Sequence, residues 1–230
     1  MRIRTFAQAA AYIERVGFCV LFPVKGLPLP SLWVAVKGKS PRRFNLVAAW
    51  DEDAERLWAW KDEFPRRRRA YYGKYFRGKA SLISPAFLPC FYRLEGNRGV
   101  ADEYQQLYAE GKITADAHAL CHELFQHGPQ AVLELRYGLG WSSKRGNLRF
   151  KRALEELQRR LLIVRWGTKA ETRAWESAVY QLTPRAFPRA VKEAAKLTAE
   201  EARRRIAAQY HRLNSAATER DLQRLFGWPH

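Results

Sequence analysis

The stretch SSKRGNLRFKRALEELQRRLLIVRWGTKAETRAWESAVYQL, residues 142–182, decides the reading of this chain. Ser142 or Ser143 can cap a long helix reaching about Leu161, because a serine hydroxyl accepts from a free amide of the first turn. Phe150, Leu154, Leu157 and Leu161 recur at offsets of four, three and four, the spacing of one buried helical face. The same helix carries Lys144, Arg145, Arg149, Lys151, Arg152, Arg159 and Arg160. Two β-rich runs follow, Leu162–Trp166 and Trp175–Leu182, separated by residues 167–174. Upstream, Thr114 opens a helix to about His127, Gly128-Pro129 breaks it, and a short helix through Val132, Leu135 and Arg136 closes at Gly138 and Gly140. Helix, helix, basic helix, strand, turn, strand is the order of a winged helix-turn-helix.

Working outward, Pro184 and Pro188 predict a linker, and Thr198-Ala199-Glu200-Glu201 is a capping box opening a helix to about Arg212. Thr218 caps another, ending at Gly227. That pair has the order of a helix-turn-helix without its third helix, so it must pack on something already present or on another protomer. On the N-terminal side, Thr5 and Gln8 form a capping box for a helix to Val16, stopped by Gly17. Residues 18–30 hold Pro23, Pro28 and Pro30 and predict an extended, irregular path, with a short helix from Ser31 to Val36 and a basic loop from Gly38 to Asn45. Asp51 opens an amphipathic helix that Pro65 should interrupt, and residues 84–93 predict a short helix or packed connector. The expected fold class is mainly α, α+β. A helical N-terminal unit (1–111), a winged helix-turn-helix (112–183) and a C-terminal helix pair (184–230) make up the expected domains.

Charge narrows the partner. There are 41 Lys and Arg against 23 Asp and Glu, a formal net charge of +18. An excess of that size repels itself unless an anion neutralises it, and nucleic acid is the commonest such partner, ahead of an anionic membrane surface. Eight Trp and 47% hydrophobic residues exclude a disordered chain. Cys19, Cys90 and Cys121 are too few and scattered for a disulfide framework and are expected as reduced thiols. No apolar run is long enough to span a membrane, and the first sixteen residues lack the apolar core of a signal peptide. A cytoplasmic protein, nucleoid-associated when bound to DNA, is expected.

The first turn of the long basic helix would present Ser143, Lys144, Arg145, Asn147 and Arg149 to a major groove, with Arg152 further along. Arg can bridge guanine O6 and N7, and Asn adenine N6 and N7. Arg165, Lys169 and Arg173, at or near the wing, could meet phosphates; the alternative is a solvated basic face or a protein-contact module. Arg66, Arg67, Arg68 and Arg69 with Tyr71, Tyr72 and Tyr75 form a second basic, aromatic stretch. It reads equally as a phosphate clamp with stacking rings or as a solvated helix end over core aromatics. Asp62 and Glu63, near Trp58 and Trp60, are weak candidates for a water-activating acid; surface carboxylates above packed tryptophans are the commoner case. His118 and His122 have the i, i+4 spacing of zinc ligands, but HALCH lacks the Glu of HExxH and no CxxC adds ligands. No nucleotide-binding glycine motif and no GxSxG occurs, so no cofactor and no metal are expected. Whether Trp33, Trp58, Trp60 and Tyr71 line a cleft or fill a core is left open by the residues alone.

Three passages carry a family resemblance: Arg15-Val16-Gly17-Phe18 followed by an apolar stretch to Leu29-Pro30-Ser31-Leu32-Trp33; GPQAVLELRYGLG then RFKRALEELQRRLLIV; and RRRIAAQYHRLNSAATERDLQRLFGW. The sequence resembles the winged-helix DNA glycosylases of the AlkZ/YcaQ type, which excise alkylated bases and unhook interstrand crosslinks. The resemblance implies a shorter, diverged relative that keeps a duplex-DNA-binding scaffold. Family members carry a catalytic Gln-x-Gln, or a variant keeping its first Gln, just after the N-terminal Gly, where this chain reads Phe18-Cys19-Val20-Leu21-Phe22-Pro23. No residue is therefore carried over as catalytic. The leading expectation is a non-enzymatic binder of double-stranded DNA, damaged duplexes included, with no membrane partner. The alternatives are a glycosylase-like enzyme that flips a damaged base, and a protein-interaction module.

Overall fold

A computed structural model describes residues 2–41, 44–172 and 175–228. The chain begins with α1 (Phe6–Val16), capped reciprocally by Thr5 and Gln8 and burying Ala9, Ala10, Ile13 and Val16. Gly17 ends it at φ 80°. A Cβ there would lie 2.6 Å from the Phe87 ring, so backbone conformation and close packing both require glycine. The chain then enters β1 (Phe18–Val20), and Phe18, Cys19, Val20 and Leu21 have no solvent exposure.

Ser31 caps α2 (Leu32–Lys37), and Asp51 caps α3 (Glu52–Arg66), whose acidic first turn suits the positive helix end. Contrary to expectation, Pro65 does not interrupt α3 but lies inside its last turn. β2 (Tyr71–Gly73), a short 3₁₀ turn (Phe76–Gly78) and β3 (Ser81–Ile83) follow. The three strands form an antiparallel sheet in the order β1–β3–β2. The N-terminal stretch is therefore not helical throughout. The strands are three residues each, too short to show a period-two pattern, and all nine of their residues are buried.

Next come α4 (Leu88–Leu94), α5 (Glu103–Ala109), which no sequence signal indicated, and α6 (Ala115–His127), capped by Thr114. They lead to β4 (Gln130–Ala131), α7 (Val132–Gly138) and α8 (Lys144–Arg159). β5 (Ile163–Thr172) and β6 (Trp175–Leu182) then form an antiparallel hairpin. β6 lies between β4 and β5 in the second sheet. One core, containing Leu120, Leu124, Leu135, Trp141, Phe150, Leu157 and Ile163, joins these helices to the hairpin.

The prolines expected to mark a linker instead start helices: α9 (Thr183–Ala186) and α10 (Pro188–Ala194) both have proline in the first turn. Proline fits there because its fixed φ is helical and its missing N–H would have no partner anyway. α11 (Ala199–Leu213) and α12 (Glu219–Phe226) finish the described chain. The helix pair packs within this chain: α11 and α10 lie on α4. Phe18, Tyr71, Phe91, Leu161, Val164, Phe187, Ile206, Tyr210 and Leu222 share one core drawn from both ends of the sequence. Gln209, itself buried, donates to the carbonyls of Arg15 (3.0 Å) and Val16 (2.8 Å), satisfying acceptors at the end of α1. The architecture is mainly helical with two small antiparallel sheets, an α+β class. Among the described residues no helix is long and apolar enough to cross a membrane.

Candidate nucleic-acid interface

Ser143, not Ser142, caps α8: its Oγ accepts from the Gly146 amide at 3.1 Å. Gly146 is pressed against the preceding turn, and a Cβ there would come within 2.6 Å of the Trp141 backbone. Arg136 pins the same turn, donating to the carbonyls of Trp141 (3.2 Å) and Ser142 (3.0 Å). Phe150, Ala153 and Leu157 anchor the inner face of α8. Burying each large apolar side chain contributes on the order of 1.5–3 kcal/mol, so packing decides the outward face. Lys144, Arg145, Lys151, Arg152 and Arg159 project from it, exposed. None has a hydrogen-bond or ion-pair acceptor among the described residues. Asn147 is half-buried beside them.

The remaining sequence-selected cations have internal partners. Arg149 makes three hydrogen bonds of 2.6–3.2 Å to the Asp116 carboxylate and lies 4.7 Å over the Trp141 ring. Its guanidinium holds the Asp116 carboxyl below the usual carboxylate range. Lys169 pairs with Glu134 at the hairpin. Arg165 turns to α3, where its Nε meets Asp62 Oδ1 at 2.6 Å and its Nη2 meets Oδ2 at 3.4 Å. Arg173 lies outside the described residues.

Asp62 also pairs with Lys61, whose side chain is buried beneath the Trp58 ring, 4.1 Å from its centroid. Burial pushes the Lys61 amine down from its ordinary pKa, against the pull of Asp62. Glu63 pairs with Arg67 at 2.8 Å. Both carboxylates singled out as water activators are thus occupied by cations.

Arg66, Arg67, Arg68 and Arg69 are exposed at the end of α3, against the base of the hairpin rather than on α8. The Arg66 stem packs over Gly167, and Arg68 donates to the Ala186 carbonyl at 2.8 Å, near the Trp166 ring. Two of the three adjacent rings are not stacking surfaces, since Tyr71 is fully buried and Tyr72 nearly so, whereas Tyr75 is half-buried. Trp33, Trp60 and Tyr71 fill the core, whereas Trp58 is 41% exposed beside Trp50. His122 Nδ1 meets the Tyr104 hydroxyl at 2.9 Å, and His118 packs on Tyr108. Among the described residues no group of three or more His, Cys, Asp or Glu could hold a metal.

Sequence reasoning missed a cleft of about 690 Å³ between α8, α12 and the 3₁₀ turn, walled by Arg77, Arg152, Arg159, Arg160 and Arg224. Its arginines come from three distant segments, so no local motif announces it. Glu95, half-buried in its wall, accepts from the Tyr75 hydroxyl at 2.8 Å. Burial pushes its carboxyl up from the ordinary value, partly offset by the Tyr75 bond and by Arg160 and Arg159.

Fold and surface together define an α+β protein whose most cationic helix presents Lys144, Arg145, Lys151, Arg152 and Arg159 to solvent, Arg149 alone of its exposed cations being held by Asp116. The chain belongs to the AlkZ-related family, whose model matches residues 3–227, nearly its whole length. No curated protein and no solved structure matches it.

Proposed function

We propose that this chain is a DNA-repair-associated protein that binds duplex DNA through a winged helix-turn-helix spanning about residues 112–183. The observation carrying this reading is the outer face of α8, where the exposed cations other than Arg149 lack internal acceptors among the described residues while the opposite face is locked in the core. The element order α6–β4–α7–α8–β5–β6, with β6 between β4 and β5, supports the winged form. In it α8 enters the major groove and the hairpin reaches the backbone. Ser143, Lys144, Arg145, Asn147 and Arg152 are the contacts of choice. Arg149 and Lys169 would first have to exchange Asp116 and Glu134 for phosphate, whereas the pairing of Arg165 to Asp62 favours a structural role. The Arg66–Arg69 run extends the positive surface.

AlkZ-related membership favours a second reading, excision of an alkylated or crosslinked base, with Asp62 or Glu63 activating water. Either acid would have to leave its present cation to do so. Fluorescence anisotropy of a labelled duplex over a salt series tests the first reading. Steeply salt-dependent binding that Lys144/Arg145→Glu largely abolishes is expected; salt-independent affinity, or an unaffected variant, overturns it. Release of free base from alkylated duplex, lost in Asp62→Asn or Glu63→Gln, would establish the second.

A further inference from the structure

The cleft between α8 and α12 gathers cations from three distant segments around one cavity, and the duplex reading makes no use of most of it. Five arginines and three carboxylates line it. Three of those residues already have partners, Glu95 in the Tyr75 hydroxyl and two more besides. Glu156 accepts from the Thr114 amide and hydroxyl, and Arg77 donates to the carbonyls of Gly26 (3.0 Å) and Arg224 (2.9 Å). Arg77 holds a left-handed backbone, φ 50° and ψ 37°, that a non-glycine residue adopts only at a cost. Its two carbonyl bonds keep it there and tie α12 to the N-terminal unit. The guanidinium groups of Arg152, Arg159, Arg160 and Arg224 have no hydrogen-bond or ion-pair acceptor among the described residues. Phe76 and Phe226 supply an apolar wall between them.

We propose that this cleft binds one nucleotide unit, its phosphate held by Arg159 and Arg224 and its base against the Phe226 side, with the Glu95 carboxylate accepting from the base edge. Arginine suits the task because its planar fork matches phosphate oxygens two at a time. The volume lies within the range of small-ligand sites. The approach to it is also built. Arg145, Arg152 and Arg159 recur every seven residues on α8, so they stay nearly in line over about 21 Å of helix. That row runs from the proposed groove-reading turn into the cleft. The inference rests on the duplex reading only in taking nucleic acid as the partner. The nucleotide unit is either part of a single strand or a free mononucleotide, and the two are separable.

Calorimetry with deoxyadenosine monophosphate, with deoxyadenosine and with a short oligothymidine strand tests the cleft. It compares the wild type, Arg159→Ala/Arg224→Ala and Lys144→Glu, with circular dichroism confirming that each is folded. Both replaced arginines of the cleft variant are exposed, so the fold is expected to hold. The expected result is loss of about tenfold or more in affinity for the phosphate-bearing ligand on removing Arg159 and Arg224. Lys144→Glu, outside the arginine row and the cleft lining, weakens duplex binding if the duplex reading is right and leaves mononucleotide binding unchanged. A response to the mononucleotide identifies a free ligand; a response to the strand alone identifies a strand segment. The proposal is overturned if neither ligand discriminates wild type from Arg159→Ala/Arg224→Ala, or if deoxyadenosine binds as tightly as its phosphate. Duplex binding through α8 would stand in either case.

Discussion

Arg165 on β5 and Asp62 on α3, 103 residues apart, form a two-point ion pair with Nε–Oδ1 at 2.6 Å and Nη2–Oδ2 at 3.4 Å. Their side chains are only 22% and 14% exposed, so the pair joins the hairpin to the N-terminal unit in a largely dry setting. Removing Asp62 strands both Arg165 and the buried Lys61, whereas removing Arg165 leaves Asp62 still paired with Lys61. Asp62→Ala is expected to cost about 2–3 kcal/mol and Arg165→Ala less, below the range for fully buried pairs because of the remaining exposure. Urea unfolding of both single variants and the double variant measures this. A double variant no less stable than Asp62→Ala is the expected signature of coupling, and simple additivity would contradict it.

Tyr71 makes a second tie between the same regions. Its hydroxyl donates within reach of the carbonyls of Gln158 (3.2 Å) and Ile163 (3.0 Å), and the residue is fully buried. Tyr71→Phe keeps the ring and leaves those carbonyls without that donor, for an expected loss of about 1–2 kcal/mol. A thermal melt unchanged from wild type would show that the hydroxyl contributes nothing.

Gly146→Ala separates propensity from packing. Alanine is favoured over glycine in a helix by up to about 1 kcal/mol. The new methyl would meet backbone atoms of Trp141 at 2.6–2.7 Å, which cannot swing aside as a side chain would. Destabilisation by about 1–3 kcal/mol is expected, with weaker duplex binding as the start of α8 shifts. A more stable variant would show that the turn yields.

Acid should loosen the attachment of α8 to α6. Arg149 holds the Asp116 carboxyl below its ordinary value of 3.8, so the folded state binds fewer protons there than the unfolded chain. The contribution is present above that value and is lost as pH falls through the lower folded one. Asp116→Asn should therefore flatten the stability profile below about pH 4 while leaving its neutral limb parallel to the wild type. Chemical denaturation across pH 3–7 measures the difference, and identical acid limbs would remove Asp116 from the account.

If α8 binds duplex DNA as proposed, neutralising its cations changes the salt response as well as affinity. Each contact releases about 0.9 of a counterion, so Lys144→Ala/Arg145→Ala should reduce the slope of log affinity against log salt by about 1.8. Arg149→Ala should reduce it less, because that side chain is already held by Asp116. Equal slope changes for Arg149 and Arg145 would show that the Asp116 pair opens on DNA.

Much of the helical framework was legible from local chemistry. The caps at Thr5, Asp51, Thr114, Ser143, Thr198 and Thr218 each satisfy amides within three residues, and the stripe on α8 repeats at the helical period, so neighbours in sequence suffice to reveal them. The alternation of a basic helix with a hairpin, the +18 charge and the family resemblance were equally present in the chain itself. The three-residue strands of the first sheet were not, because their burial comes from what covers them and leaves no period to read. Pro65, Pro184 and Pro188 misled for a related reason: proline breaks helices by local rules, but inside a last turn or in a first turn it costs little. The status of individual charges was decided only by tertiary structure. Arg145 and Arg149 lie one turn apart on the same helix; one faces water, and the other is bound by an aspartate 33 residues away. Charge is a property of composition, whereas an unpaired charge depends on which distant carboxylates the fold brings within about 3 Å.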